Sequence, residues 1–140
     1  MLKEIIAVFV GGGLGSVLRF LVNKIEIVSD NNFPYSTFIS NFLGCLILGL
    51  VLGYFIKNEN PNSILFVFLT VGLCGGFTTF SSFSNENLQL IQNGEIFIFL
   101  AYLLGSLIVG IVSVYVGAVS YTHLRAHETE ADLVCRLLLE

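Results

Sequence analysis

Ser63-Ile64-Leu65-Phe66-Val67-Phe68-Leu69-Thr70-Val71-Gly72-Leu73-Cys74-Gly75-Gly76-Phe77-Thr78-Thr79-Phe80-Ser81-Ser82-Phe83 is the stretch whose reading decides how this chain folds. It starts as a clean apolar run, carries no charge and ends in glycine, threonine and serine. At about 1.5 Å per residue a helix of this length crosses a hydrocarbon core roughly 30 Å thick. Its second half, however, continues a helix poorly. Two adjacent glycines followed by β-branched and hydroxyl residues have low helix propensity, so a break is expected near the centre of the span. In lipid, a broken helix exposes carbonyls and amides that must line a cavity or hold an ion.

Three more blocks flank it. Ile5 to Val22 is apolar apart from Ser16 and Arg19, Phe38 to Ile56 apart from Ser40 and Asn41, and Ile96 to Val119 carries hydroxyls only on Tyr102, Ser106, Ser113 and Tyr115. The whole chain is 55% hydrophobic and 11% charged, with mean hydropathy +0.88, against roughly a quarter charged in a soluble domain. A soluble fold of 140 residues has no interior large enough for that surface. The reading is an all-α integral membrane protein of four transmembrane helices, the third broken near its centre. Barrel strands are excluded because the blocks are too long and too continuously apolar. A signal peptide at Ile5 to Val22 is disfavoured by its glycine triplet, its late arginine and the three blocks that follow. Cys45, Cys74 and Cys135 are odd in number, two of them within apolar blocks, and read as small buried side chains.

The intervening segments, Lys24 to Tyr35, Lys57 to Asn62 and Glu86 to Glu95, are polar and rich in turn formers, and are expected in headgroup or water. No soluble catalytic domain is left over, and the membrane blocks contain no paired carboxylates, cysteine–histidine set or nucleotide loop, so an enzyme is not expected. Nothing points to nucleic acid. Before residue 120, Lys3 and Lys57 lie on one side and Arg19 and Lys24 on the other, two against two. The excess of basic residues that normally sets orientation is missing, which leaves open either one orientation fixed by other means or insertion both ways.

Residues 120–140 differ in kind, with Arg125, Arg136, Glu128, Glu130, Asp132, Glu140 and both histidines following a completed helix. Thr122-His123-Leu124-Arg125-Ala126-His127-Glu128-Thr129 resembles translated adapter or vector read-through. The channel domain is therefore read as 1–119 and the remainder as a non-native or disordered tail. His123 and His127 with Glu128 beside them make a weak metal pair and are set aside.

Polar groups at membrane depth cost several kcal/mol unless they have a partner or a water-filled path, so their positions carry the functional signal. Arg19 shares a helical face with Gly11 and Gly15; it either snorkels to the interface or supplies positive potential at a vestibule. Thr37, Asn41 and Cys45 form an i, i+4, i+8 stripe in which the asparagine either glues helices or offers N–H donors to a dehydrated anion. Gly49 and Gly53 permit close packing. At the break, Gly75 and Gly76 allow φ > 0 or close approach, the carbonyls of Gly75 and Thr78 are candidates to hold a small cation, and Thr79 and Ser81 supply hydroxyls. Phe77, Phe80 and Phe83 recur at i, i+3, either as packing or as ring edges facing an anion. Tyr102 and Ser106, with Ser113 further on, continue the donors along the fourth helix.

Taken together, these features describe a small ion channel or transporter, and one such chain has little room to surround a pore without a second copy. Gly11-Gly12-Gly13-Leu14-Gly15-Ser16-Val17-Leu18-Arg19, Thr37-Phe38-Ile39-Ser40-Asn41-Phe42-Leu43-Gly44-Cys45 and above all Gly72-Leu73-Cys74-Gly75-Gly76-Phe77-Thr78-Thr79-Phe80-Ser81-Ser82-Phe83 resemble the CrcB/Fluc fluoride channels of bacteria, over roughly residues 1–119. The resemblance implies an antiparallel, dual-topology homodimer in the bacterial cell (inner) membrane, with two fluoride pathways and a central structural sodium ion. It implies a vestibule role for Arg19, a fluoride donor in Asn41, ring edges at Phe80 and Phe83 contributed across the dimer, and sodium on carbonyls of Gly75 and Thr78. Tyr102 and Ser106 match the polar track of the fourth helix more loosely, and Ser82 replaces a threonine while keeping the hydroxyl. The alternative is a small dual-topology, proton-coupled multidrug or metabolite exporter. Such proteins need a membrane carboxylate, whereas Glu4, Glu26, Asp30, Glu59, Glu86 and Glu95 read as lying at ends or in loops. A noncatalytic assembly factor would leave the third motif without a purpose.

Overall fold

The structure, a computed structural model, describes residues 1–25, 32–57 and 63–137, with side chains to Ser120. The segments 26–31 and 58–62, and with them most of the first two expected loops, lie outside the described residues, as do the side chains of His123, His127 and Cys135. The described chain is helical: α1 Leu2–Lys24, α2 Tyr35–Lys57, α3 over 64–77, α4 Phe80–Gln92 and α5 Ile96–Leu137. α3 and α4 are the two halves of one span, Ile64–Gln92, and the apolar part of α5 is Ile96–Ser120. With α1 and α2 these are four helices long and apolar enough to cross a membrane, the third bent near its centre. This is a multi-pass membrane protein.

The bend falls two residues later than the glycines led us to expect. Gly75 is helical (φ −63°, ψ −37°), and the chain turns extended only at Thr78 (φ −79°, ψ 157°) and Thr79 (φ −148°, ψ 120°). Positive φ occurs instead at Gly94 (77°), in the tight turn between α4 and α5. Before the bend, Phe68–Cys74 is wound as a π-helix, and Thr70 and Thr78 donate their hydroxyls back to the carbonyls of Phe66 (2.7 Å) and Cys74 (2.9 Å). After it, Thr79 caps α4, its Oγ1 accepting the Ser82 N–H at 3.2 Å.

Glycine instead sets the helix spacing. α1 and α3 run parallel and touch backbone to backbone: a methyl built on Gly11 would lie 2.6 Å from the Phe68 carbonyl oxygen, and one on Gly15 2.7 Å from the Phe77 nitrogen, while Gly76 sits against Gly12. α2 and α5 are likewise parallel. Gly49 packs on Val114, and a methyl on Gly117 would stand 2.8 Å from the Leu50 nitrogen. Gly53, also buried, lies one turn further along α2.

The third span is also longer than its apolar composition implies. α4 runs to Gln92, so Glu86 to Gln92 is helix within the bundle and only Asn93 to Glu95 turns. Phe83, Asn87 and Leu90 form its buried face at helical spacing, against Tyr102, Phe33, Phe38 and Phe99. The backbone of α5 stays helical beyond Ser120 to Leu137.

Candidate ion pathway at the bend of the third span

Asn41, two turns into α2, meets the bend. Its Oδ1 accepts the Thr79 N–H at 2.8 Å and its Nδ2 donates to the Thr79 carbonyl at 3.3 Å. The extended residue is thus paired on both sides by one carboxamide, which satisfies the N–H that the broken helix would leave bare and adds a second donor to a carbonyl that, at the N-cap, already accepts the first bond of α4. A carboxamide has a second N–H, and Asn41 borders an open cleft of about 220 Å³.

That cleft collects most of the expected residues. Asn41, Thr79, Phe80, Phe83 and Ser106 line it together with Cys45, Thr78, Leu107 and Gly110. None of these carries a charge. The polar contributions are the spare amide N–H, the Thr79 hydroxyl and the Ser106 Oγ, which is buried and has no hydrogen-bond partner among the described residues. The N-terminus of α4 opens on the same space, and its unpaired N–H groups and dipole favour an anion there. Ser81 is exposed, with its Oγ 3.2 Å from that of Thr79.

The phenylalanines do not form the single stripe that their spacing implies, because the bend intervenes. Phe77 and Phe83 are buried, while Phe80 is 78% exposed, its ring centroid 5.8 Å from that of Phe83. Phe83 in turn lies 5.1 Å from the Tyr102 ring.

Thr37 and Tyr102 belong to a different group, one the sequence reading missed. Both are fully enclosed, and both donate to Glu86: Thr37 Oγ1 to Oε1 at 2.6 Å, Tyr102 Oη to Oε2 at 2.7 Å. A carboxylate assigned to a loop therefore stands inside the bundle and ties α2, α4 and α5 together. It borders a polar cleft of about 350 Å³ that opens past Asn32, Gln89 and Asn93, near the Asn32–Glu95 hydrogen bond. The available signal was the stripe Phe83, Asn87, Leu90, which continues the helix through Glu86.

Of two further expectations, one lies outside these clefts and the other adjoins the first of them. Arg19, half-buried on α1, lines neither cleft. Gly75 and Thr78 share a further cleft of about 210 Å³ with Thr70, Cys74 and Cys45. In an unbroken helix their carbonyls would accept from Thr79 N–H and Ser82 N–H. Those donors are engaged by Asn41 Oδ1 and Thr79 Oγ1, which leaves both carbonyls open to another partner.

The CrcB-like family model (CrcB-like protein, camphor resistance) matches residues 6–118, which takes in the four apolar spans apart from the first residues of α1 and the last two of the apolar part of α5. Fluoride-specific ion channel FluC of Flavobacterium psychrophilum is 44% identical over 119 residues, covering 84% of this chain and 96% of that protein. The protein of the same name from Phocaeicola vulgatus is 44% identical over 118 residues, 83% and 96% of the two chains, and that from Dehalococcoides mccartyi 37% over 116 residues, 82% and 89%. With the bend, the paired asparagine and the aromatic-lined cleft all falling inside the matched region, this chain belongs to the CrcB-like family.

Proposed function

We propose that the chain is the subunit of a passive, fluoride-selective channel of the bacterial cell membrane, which lets cytoplasmic fluoride leave down its electrochemical gradient and so limits its toxicity. The observation that carries this is the uncharged cleft at the bend, where amide, hydroxyl and helix-end N–H groups meet two aromatic rings. Fluoride is small and strongly hydrated. Donors must replace its water while holding it weakly enough for release, and a narrow lining of such groups does both and is too tight for chloride. In acid surroundings fluoride enters as HF, and an anion path returns the trapped ion. An ion pathway without a reacting bond is not an enzyme.

The working unit in this reading is an antiparallel homodimer. Phe80, 78% exposed in one chain although it lines the cleft, and Gly75, exposed in mid-span, are the surfaces a second copy would close. Supporting this, the four basic residues before residue 120 divide two and two between the ends of the spans. A sodium ion on the open carbonyls of Gly75 and Thr78 would hold the two bends together. Its charge would offset that of nearby anions. Arg19 would act before the cleft, at a vestibule, and residues 120–140 would take no part.

Proton-coupled export is the weaker reading. Glu86 does provide a carboxylate within the bundle, so absence of one no longer argues against it; both its oxygens, however, are held by donors from neighbouring spans. The relatives named above are all ion channels by name. Proteoliposomes loaded with fluoride separate the two: fluoride should leave once charge balance is supplied by an ionophore, without a proton gradient, and chloride should stay. Equal efflux of both ions would reject selectivity.

A further inference from the structure

Above the glycine contacts, α1 and α3 part. At Gly11 the backbone of α1 touches those of Phe68 and Gly72, but toward the start of both helices the side chains of Ile6, Val10, Ile64, Leu65 and Phe68 border a groove. Two parallel helices that touch at one level and carry bulky residues at the next must leave a wedge between them. The wedge is a groove of about 390 Å³, floored by the buried Ala7 and walled by side chains that are half or more exposed at Ile6 (53%) and Leu65 (55%). None of it belongs to the clefts at the bend.

The groove has one charged lining residue, Lys3, at its mouth. The adjacent ammonium of Met1 pairs with Glu4 at 3.1 Å, which leaves the Lys3 charge without a carboxylate among the described residues. Lys3 to Val10 is seven residues, about 10 Å along the helix, or roughly two-thirds of one leaflet's hydrocarbon depth. An apolar trough of that length running inward from a cation at its outer end matches one amphiphile. We infer that the α1–α3 groove is a binding site for an anionic phospholipid, with the phosphodiester on Lys3 and the upper part of an acyl chain between Val10 and Leu65.

A single basic residue near the surface favours an anionic headgroup by about 1 kcal/mol, which is about fivefold in occupancy. The full chain in detergent, offered equal amounts of phosphatidylglycerol and phosphatidylcholine, should retain the former about fivefold over the latter in native mass spectra. Lys3→Gln should abolish that preference with some retention of both lipids, and Val10→Trp, which fills the trough at an exposed position, should lower the retention of both. Equal retention by the unmodified chain, or an undiminished preference in Lys3→Gln, overturns the assignment. So does a change of oligomeric state in Val10→Trp measured by sedimentation, since the groove would then be occupied by a second copy.

Discussion

The carboxamide of Asn41 grips the backbone of Thr79 at both its N–H and its carbonyl, so the bend of the third span is fastened to the second span and not only to its own sequence. One side chain therefore shapes the cleft and also lines it. The two roles separate by substitution.

Asn41→Asp keeps the acceptor for Thr79 N–H but loses the donor and brings a negative charge to the cleft. Asn41→Ala loses both bonds and strands the N–H of a residue only 6% exposed, at about 1–3 kcal/mol. The alanine variant should therefore be the less stable to heat, by about 1–3 kcal/mol, while the aspartate variant stays folded and loses fluoride efflux by tenfold or more. Undiminished efflux in folded Asn41→Asp would remove Asn41 from the pathway.

Phe80 and Phe83 make a matched control. Replacing either with isoleucine removes a ring edge, but Phe83 is in the core and Phe80 is exposed in the single chain. Phe83→Ile should lower stability by about 1 kcal/mol or more, and Phe80→Ile should change the stability of the subunit fold by less than about 0.5 kcal/mol. Both should reduce fluoride flux in liposomes. Unchanged flux in Phe80→Ile would mean that its ring packs against a neighbour and faces no ion.

Apolar length and continuity made the four spans legible, and poor helix formers placed a bend in the third. The position of the bend was not legible from glycine alone. Gly76 stays helical because the constraint on it is Gly12 of α1, a contact with no local sequence signature, while the helix breaks at Thr78 and Thr79 because the Thr79 backbone finds Asn41. Glu86 was misplaced for a related reason. A charge usually marks the end of a span, but here two hydroxyls from other helices compensate it, and hydropathy does not register such partners. Asn41, Thr79, Phe80, Phe83 and Ser106 stand out in the sequence because each is a polar or aromatic exception at helical spacing, and in the structure they line one cleft.

Glu86 should behave as a clamp with two arms. Tyr102→Phe and Thr37→Val each remove one hydrogen bond to a carboxylate, worth about 1.5–3 kcal/mol apiece. Glu86→Gln can still accept one of them and turns its amide donors toward the other hydroxyl, so its loss should be smaller than that of Glu86→Ala. A double-mutant cycle between Tyr102→Phe and Glu86→Ala in thermal unfolding should give a coupling of at least 0.5 kcal/mol. Additive effects would mean that the contact contributes no stability.

The helix beyond Ser120 extends some 17 residues, about 25 Å, past the apolar part of α5, and the family match stops at residue 118. Ending the chain after Val119 should leave fluoride efflux and the dimer intact. If the shortened protein runs as a monomer in sedimentation while remaining helical by circular dichroism, the tail takes part in assembly and the boundary proposed for the channel domain is wrong.

Sodium is the ligand to withdraw. If it binds between the bends of two copies, it stabilises the dimer and not the separate subunit, by RT ln(1 + [Na⁺]/Kd), about 2.7 kcal/mol at a hundredfold excess over Kd. Exchange of sodium for N-methylglucamine at equal ionic strength should then lower the unfolding temperature of the dimer and raise its dissociation, with potassium a poor substitute because its longer bonds do not fit the same carbonyls. The side chains at this site contribute no charge, so the effect should persist in Thr78→Ser, which keeps both the carbonyl and a hydroxyl to donate to Cys74. It should vanish in Thr79→Pro, whose ring fixes φ at about −65° and cannot take the −148° of Thr79, so that the bend presenting both carbonyls is displaced. A dimer equally stable in sodium and in N-methylglucamine would exclude sodium as a structural ion, and the two open carbonyls would then be hydrated or bonded to donors from the second copy.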